Sequence, residues 1–191
     1  MNDPFAELDD PIPSIKVTCT STDCEKDQHC YLQKRKVDGA HVFGACRSCG
    51  SQPAFDIARL RKRDIKDVSY TFAAMRHEKI REHYWSKPFD EKAAALVRKK
   101  GVDRVLSGIS SRVASSIGKK ANGFDGRQTK LEGNVIFYAQ HATATCCRKC
   151  LSYWHDIPAD RDLNPKESKY CEDLIVAYLR ERLPSIESEK S

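Results

Sequence analysis

The sequence predicts an α+β protein, mostly helical, in which an N-terminal zinc-ribbon-like β unit precedes a helical domain carrying a second, strand-to-helix zinc site. Three observations carry this reading. Short β-like runs between residues 15 and 50 are bracketed by two cysteine pairs; beyond residue 56 apolar residues recur at helical spacing; and around residue 141 an apolar strand-like run meets a cysteine-rich helix start. The divisions that follow are a flexible arm (1–14), the ribbon-like unit (15–52), a basic helical domain with a Cys/His metal site (53–184) and a disordered tail (185–191).

The arm holds three prolines and four acids without apolar periodicity. From Ile15 the runs IKVTC, HCYLQKRK and HVFGAC are separated by polar or glycine-containing turns such as Val37-Asp38-Gly39. Cys19 and Cys24 form a C-x4-C pair, and Cys46 and Cys49 a C-x2-C pair about a hairpin's length later. Each pair can aim two thiolates at one point, and four complete the tetrahedral shell of a structural zinc. Gly50 suits the turn after Cys49 because it tolerates positive φ. His29 and Cys30 lie in the same unit and either can replace Cys24. Because the outer pairs already supply four ligands, His29 reads as an exposed strand residue and Cys30 as a small buried apolar one.

Beyond Pro53 the pattern turns helical. Asp56 is placed to cap a short basic helix, DIARLRKRDIK, and a second helix is expected over about Val68–Trp85, ended by Pro88. A third runs from Asp90 to Gly101 and a fourth from Asp103 to Ile117, with Val105, Leu106, Ile109, Val113 and Ile117 on one face. His77 and His83, six apart on the expected second helix, point to different faces and make poor partners for one metal. The last helix is signalled by Asn164-Pro165-Lys166-Glu167, a cap with proline at the first helical position. Cys171, Leu174, Ile175, Tyr178 and Leu179 then form a buried stripe, which makes Cys171 a core residue.

Asn134–Gln140 reads as a buried strand ending at His141. Thr143 or Thr145 is placed to cap a helix starting near Cys146 or Cys147, and Cys147 and Cys150 at i and i+3 share one helix face, where the helix dipole lowers thiol pKa values. His141 is a third candidate ligand. For the fourth, His155 completes C-x2-C-x4-H but lies about 80° around a helix from Cys147 and about 140° from Cys150; Cys146 competes with it. Two zinc ions are therefore expected, drawn from Cys19, Cys24, Cys46 and Cys49, and from His141, Cys146, Cys147, Cys150 and His155.

YAQHATATCCRKC, followed by WH-x-IP and a terminal helix ending in RLP, resembles an uncharacterised, mainly bacterial family catalogued only as a domain of unknown function. The similarity runs from the CTSTDC and CRSCG pairs through RLP. It implies zinc binding by the matching cysteines and carries no activity with it.

At 40% hydrophobic and 31% charged residues the composition is that of a soluble globular protein. The acidic opening MNDPFAELDDPIP lacks the features of a signal peptide, and no run of about 18 apolar residues is available to span a bilayer. The expected location is cytoplasmic, away from membranes, where clustered thiols stay reduced and serve metals. Charge is uneven: residues 57–130 carry 19 Lys/Arg against 8 Asp/Glu, whereas both flanking segments have an acidic excess. A basic middle segment favours a polyanionic partner, DNA or RNA, over the competing reading that these cations only solvate helices. The candidate phosphate contacts are Arg59, Arg61, Lys62, Arg63, Arg98, Lys99, Lys100, the glycine-rich loop's Lys119, Lys120 and Arg127, and Arg148. Tyr84, Trp85, Tyr153 and Trp154 read as core rather than base-stacking aromatics.

Two functions compete. One is a zinc-containing nucleic-acid-binding protein whose metals are structural; a protein-interaction adaptor is the next candidate should nucleic acid fail to bind. The other is an HNH-like metal-dependent nuclease or phosphodiesterase with His141 as catalytic base, Gln140 or Thr143 holding substrate or metal and Arg148 stabilising the phosphorane. Against the nuclease, only 13 residues separate His141 from His155, no acidic cluster is near to hold magnesium, and ligand and free base are exclusive roles for His141.

Overall fold

The computed structural model describes residues 17–34, 41–120 and 129–184. The expected arm, the Val37-Asp38-Gly39 turn, Arg127 and the expected tail lie outside these residues. Helices dominate, with a small antiparallel pair near the N-terminus. Its strands, β1 (Leu32–Lys34) and β2 (His41–Phe43), are in register with Leu32 opposite Phe43 and Lys34 opposite His41. The described end of the β-like run that finishes at Cys19 enters a turn rather than a strand, closed by Ser21 N–H donating to Thr18 O at 3.1 Å. Three hydroxyl residues within Thr18–Ser21 hydrogen-bond one another and outcompete a ladder.

Asp56 caps α1 (Ile57–Arg61), its carboxylate accepting from the Ala58 and Arg59 N–H groups. This helix stops five residues before the sequence suggests, because Arg63 takes φ +55° and Asp64 caps a new 3-10 turn over Ile65–Asp67. The expected second helix is two, α2 (Val68–Met75) and α3 (Lys79–Ser86). Their break has a tertiary cause. Glu78 pairs with His29 in an isolated parallel bridge, His29 N–H donating to His77 O at 2.7 Å and Lys79 N–H to His29 O at 3.3 Å. The N-terminal unit is thereby stitched into the helical part at a point no local propensity marks.

Asp90 caps α4 (Glu91–Lys100), which ends at Gly101 with φ +79°. The expected fourth helix divides at Gly108 into α5 (Val102–Ser107) and α6 (Ile109–Ser116). The strand expected over 134–140 is helix α7 (Val135–Ala142), capped by Asn134. All but one of its residues are buried, and a short, uniformly buried helix reads as a continuous apolar run that periodicity cannot separate from a buried strand. The second metal region is therefore helix–loop–helix rather than strand-to-helix, with α8 (Arg148–His155) following. Its N-cap is Cys147, not Thr143 or Thr145; those two hydroxyls bond to each other, and Thr143 also donates to Ala139 O.

The final helix, α9 (Pro165–Arg182), has the predicted capping box and buried stripe. Cys171, Leu174, Ile175, Tyr178 and Leu179 are all 0% exposed, packing against α6 and α7. A second apolar cluster joins the hairpin to α8, with Phe43 stacked on Tyr153 at 4.5 Å and edge-on to Trp154 at 4.9 Å. As expected, Tyr84, Trp85, Tyr153 and Trp154 are buried. No helix among the described residues is long and apolar enough to cross a membrane.

Glu167 at the third position of α9 is 5% exposed and accepts from Arg161 at 2.7 and 2.8 Å and from the Asn164 N–H at 3.0 Å. Hydrogen bonding from Arg161 foremost, then the Asn164 N–H and the Arg63 charge, holds its carboxyl down at about 2, against an ordinary value of 4.5. A depressed carboxylate stabilises the fold above pH 4.5 and loses that contribution as pH falls from 4.5 towards 2. Discounted for the solvent-facing arginines, the effect is about 1–2 kcal/mol. Urea denaturation of Glu167→Gln should show this deficit at pH 6, with the curves for variant and wild type converging near pH 2.

Candidate metal centres

Two groups of side chains converge in ways that fit a metal ion. In the first, Cys24, His29, Cys46 and Cys49 place one ligand atom each within 4.8 Å of the others. Cys24 opens a 3-10 turn, and Cys46 and Cys49 sit in a tight turn closed by Gly50 N–H donating to Cys46 O at 2.9 Å. Gly50 has φ +77°, as its position after the pair predicts. A tetrahedral ion with metal–sulfur bonds of about 2.3 Å sets its sulfurs about 3.8 Å apart; Cys24 Sγ and Cys46 Sγ stand 3.8 Å apart, far beyond the roughly 2.05 Å of a disulfide. His29 Nδ1 lies 3.5 Å from Cys49 Sγ, against about 3.6 Å for the sulfur–nitrogen edge of the same shell.

The surroundings complete the fit. His29 Nε2 bonds to Asp27 Oδ1 at 2.9 Å, which leaves Nδ1 to the thiols and supplies the carboxylate that metal-bound imidazoles commonly keep on their far side. Asp27 also pairs with His77 at 2.7 Å. Burial pushes the Cys46 thiol up, but backbone hydrogen bonds at Cys30, Cys49 and Ser48 outweigh it and bring Cys46 to about 6. Cys49 is lowered as well, by Ser51. His29 is thus not the exposed strand residue expected: at 4% exposure it occupies the position assigned to Cys19. Cys30 is buried as anticipated and donates its S–H to Cys19 O at 3.3 Å.

In the second group Cys146, Cys147 and Cys150 bring three buried thiols within 4.8 Å of one another. Cys147 Sγ caps α8 by accepting the Cys150 N–H at 3.5 Å. The expectation that the helix terminus would lower these thiols is reversed. The adjacent Cys146 thiol foremost, with burial, pushes Cys147 up to about 12, because anionic sulfurs crowded in a low-dielectric pocket repel one another. A divalent cation is the counter-charge that lets such thiolates coexist.

Part of that counter-charge comes from a residue that pattern reading passes over. Arg81, on α3, is 1% exposed. Its NH2 donates to Cys150 Sγ at 3.2 Å, its NH1 to Cys146 Sγ at 3.8 Å and to His141 O, and its Nε to Glu78 Oε2 at 2.9 Å. Glu78, equally buried, also accepts from Trp154 Nε1 at 2.9 Å; burial nonetheless pushes its carboxyl up. In MRHEKIREHYW the histidines draw attention, yet the glutamate and arginine three residues apart carry the site.

His141 and His155 do not join the thiols. His141 is 0% exposed, stacked on Tyr84 at 4.6 Å, with Nε2 bonded to Thr129 O at 2.9 Å. Burial holds it down at about 4. A base activating water at a phosphodiester must reach substrate, and this ring is fully buried. Gln140 and Thr143 are buried too. His155 is spent on Thr143 O at 3.0 Å and Tyr170 OH at 3.2 Å. Arg148, expected at a phosphate, is 4% exposed and donates to the carbonyls of Ile117, Pro158 and Arg161.

A family model described as a domain of unknown function, DUF4186, matches residues 69–180. The chain belongs to this family. The DUF4186 match takes in Glu78, Arg81, His141 and the Cys146–Cys150 group and leaves the Cys24–Cys49 group N-terminal to it. No solved structure matches the chain.

The remaining basic candidates divide sharply. Arg59 forks onto Asp67 at 2.6 and 2.7 Å, Arg61 donates to Tyr153 O, Arg63 faces Glu167, Arg98 pairs with Glu91 and Lys119 with Asp162. Lys62, Lys99, Lys100 and Lys120 are exposed; the backbone N–H of Lys120 donates to Asp162 Oδ1 at 2.8 Å. Lys100 borders a cleft of about 290 Å³ between the α4 end, α5, α6 and the α7 start. Arg104 and Arg112, which the sequence reading did not single out, line it as well.

Proposed function

We propose that the chain is a zinc-containing nucleic-acid-binding protein, in which two structural zinc ions hold the scaffold and a basic cleft grips backbone phosphates. Zinc is the metal these donors suit: thiolate-rich sets with at most one imidazole, at tetrahedral spacing, fit a borderline-soft ion without redox demands. Cys24, His29, Cys46 and Cys49 would hold one ion, and Cys146, Cys147 and Cys150 three positions of the other.

The cleft carries the nucleic-acid part. Lys100, Arg104 and Arg112 line it together with Ser111, Ser115 and Asn134, and no carboxylate among the described residues does. Arg112 is half-buried and spends its hydrogen bonds on neutral partners, Gln140 Oε1 at 3.0 Å and Thr129 Oγ1 at 3.2 Å. Its charge is left for an anion. Thr129 in turn donates to Cys146 O, so the second thiol group helps to position the cleft's innermost cation. Hydroxyls beside convergent cations are suited to phosphate.

The test is binding to short DNA and RNA at graded salt. The double variant Lys100→Gln/Arg104→Gln, at exposed positions, should weaken binding roughly tenfold or more and flatten the log–log salt slope by about 2. Lys166→Gln, on α9, should change neither. Undetectable binding of both nucleic acids at low salt, or equal binding by the double variant, would sink this reading.

A further inference from the structure

We infer that the basic cleft is the seat of a phosphorylated strand end: it takes the terminal phosphomonoester of a single-stranded nucleic acid, with the adjoining nucleoside against its apolar wall. The inference rests on the nucleic-acid reading above and names which part of which nucleic acid the cleft receives.

The cleft is a recess, and that bears on its ligand. Proteins that read a duplex present a helix or ribbon that protrudes into a groove about 12 Å wide; a recess of about 290 Å³ does the converse and receives a projecting group of the ligand. The recess also ends within the protein. Arg112 closes it, and behind the guanidinium stand Gln140, 0% exposed, and Thr129, 4% exposed, which accept its hydrogen bonds. A strand continuing in both directions needs two ways out, whereas a strand end needs one.

Charge favours the end as well. Lys100, the last residue of α4, and Arg104, on α5, are exposed, and with Arg112 they line the cleft, where no carboxylate or histidine among the described residues does. A backbone phosphodiester carries one negative charge, and a phosphomonoester approaches two above its second ionisation near pH 6. Each of the three cations therefore gains more from an end than from a link. Arg112 is also fixed in advance. Gln140, which accepts from it, donates in turn to Ser116 Oγ at 3.0 Å and Thr145 O at 3.1 Å, and the guanidinium lies over the Phe137 ring at 4.9 Å. A fork held this way costs little to order on binding. Asn134 and Ile136 bring the positive end of α7 to the same wall. Leu96, Val105 and Ile136 make that wall partly apolar; inorganic phosphate has no use for such a surface, whereas a sugar or base does.

Fluorescence anisotropy tests this with short single strands of one sequence carrying a 5′-phosphate, a 3′-phosphate or hydroxyls at both ends. Near neutral pH one of the phosphorylated strands should bind about tenfold tighter than the hydroxyl-ended strand. That advantage should shrink as pH falls below about 6, where the phosphomonoester takes up a proton. Lys100→Gln/Arg104→Gln, a change at exposed positions, should bring the ratio close to one, and Lys166→Gln should keep it. Equal binding of phosphorylated and hydroxyl-ended strands overturns the inference and leaves the nucleic-acid reading standing; undetectable binding of every strand overturns both. The assignment to a single-strand end is also overturned if the free mononucleotide, or a blunt duplex with the same end phosphate, binds as tightly as the phosphorylated single strand.

Discussion

Stripping metal from the protein with a strong chelator should abolish its tertiary structure, and restoring zinc should recover it. The expected size follows from two magnitudes. Apparent binding energies of structural zinc sites run to about 10–16 kcal/mol, while the net stability of a folded domain is only about 5–15 kcal/mol. Losing the second centre should matter more. Its three thiols are 2–7% exposed and lie beside Tyr153 and Trp154 in one apolar cluster, whereas Cys49 of the first is exposed. Without a cation, the crowded thiols must sit protonated and without adequate partners in the core. The readouts are near-ultraviolet circular dichroism and the emission of Trp154, which is 0% exposed and should shift to longer wavelength on chelation. Cys147→Ser/Cys150→Ser should reproduce the loss in the presence of zinc; a double variant melting within a few degrees of wild type would remove the structural role.

Where the chain announces an element locally, sequence and structure agree. Asp56, Asp90 and Asn164 are caps because short acceptors precede apolar periodic runs, and the α9 stripe is buried residue for residue. The C-x2-C turn with Gly50 belongs to the same class, since two thiols and a positive-φ glycine are local chemistry. Tertiary pairing made the difference elsewhere. α2 and α3 are separated because His29 claims the backbone around Glu78, and nothing between Val68 and Trp85 signals a distant partner. α7 reads as a strand in sequence because burial on nearly every face erases the helical period. The groups that could hold a metal divide along the same line: Cys24, Cys46 and Cys49 are legible as cysteines at tight turns, whereas His29 joins them with its ring held by Asp27, which no spacing signals. Among cations, counting located the basic segment, while ion pairing decided which of its members remain available; Arg59 and Arg98 look as free in sequence as Lys100 and are not.

Replacing Arg81 by Met should cost about 3–5 kcal/mol, one of the largest single-residue effects in the chain outside the thiols. The guanidinium is 1% exposed and joins four buried groups: the Glu78 carboxylate, the His141 carbonyl and the Cys146 and Cys150 sulfurs. A methionine fills comparable space but leaves Glu78 with only Trp154 Nε1 as a described side-chain donor, and a buried carboxylate stripped of its cation either keeps an uncompensated charge or takes up a proton. Arg81→Lys should recover little, since a single ammonium cannot span a carboxylate and two sulfurs as the planar fork does. Glu78→Gln in the Arg81→Met background should restore roughly 2 kcal/mol by removing the stranded charge, even though Glu78→Gln alone destabilises wild type. Urea denaturation of the four proteins in saturating zinc measures this cycle, and for a chain of this size the single Arg81→Met change should lower Tm by roughly 10 °C. If Arg81→Met stays within 1 kcal/mol of wild type, or the two substitutions simply add, the buried cation is not what holds the N-terminal unit, α3 and the thiol cluster in one charge-balanced assembly.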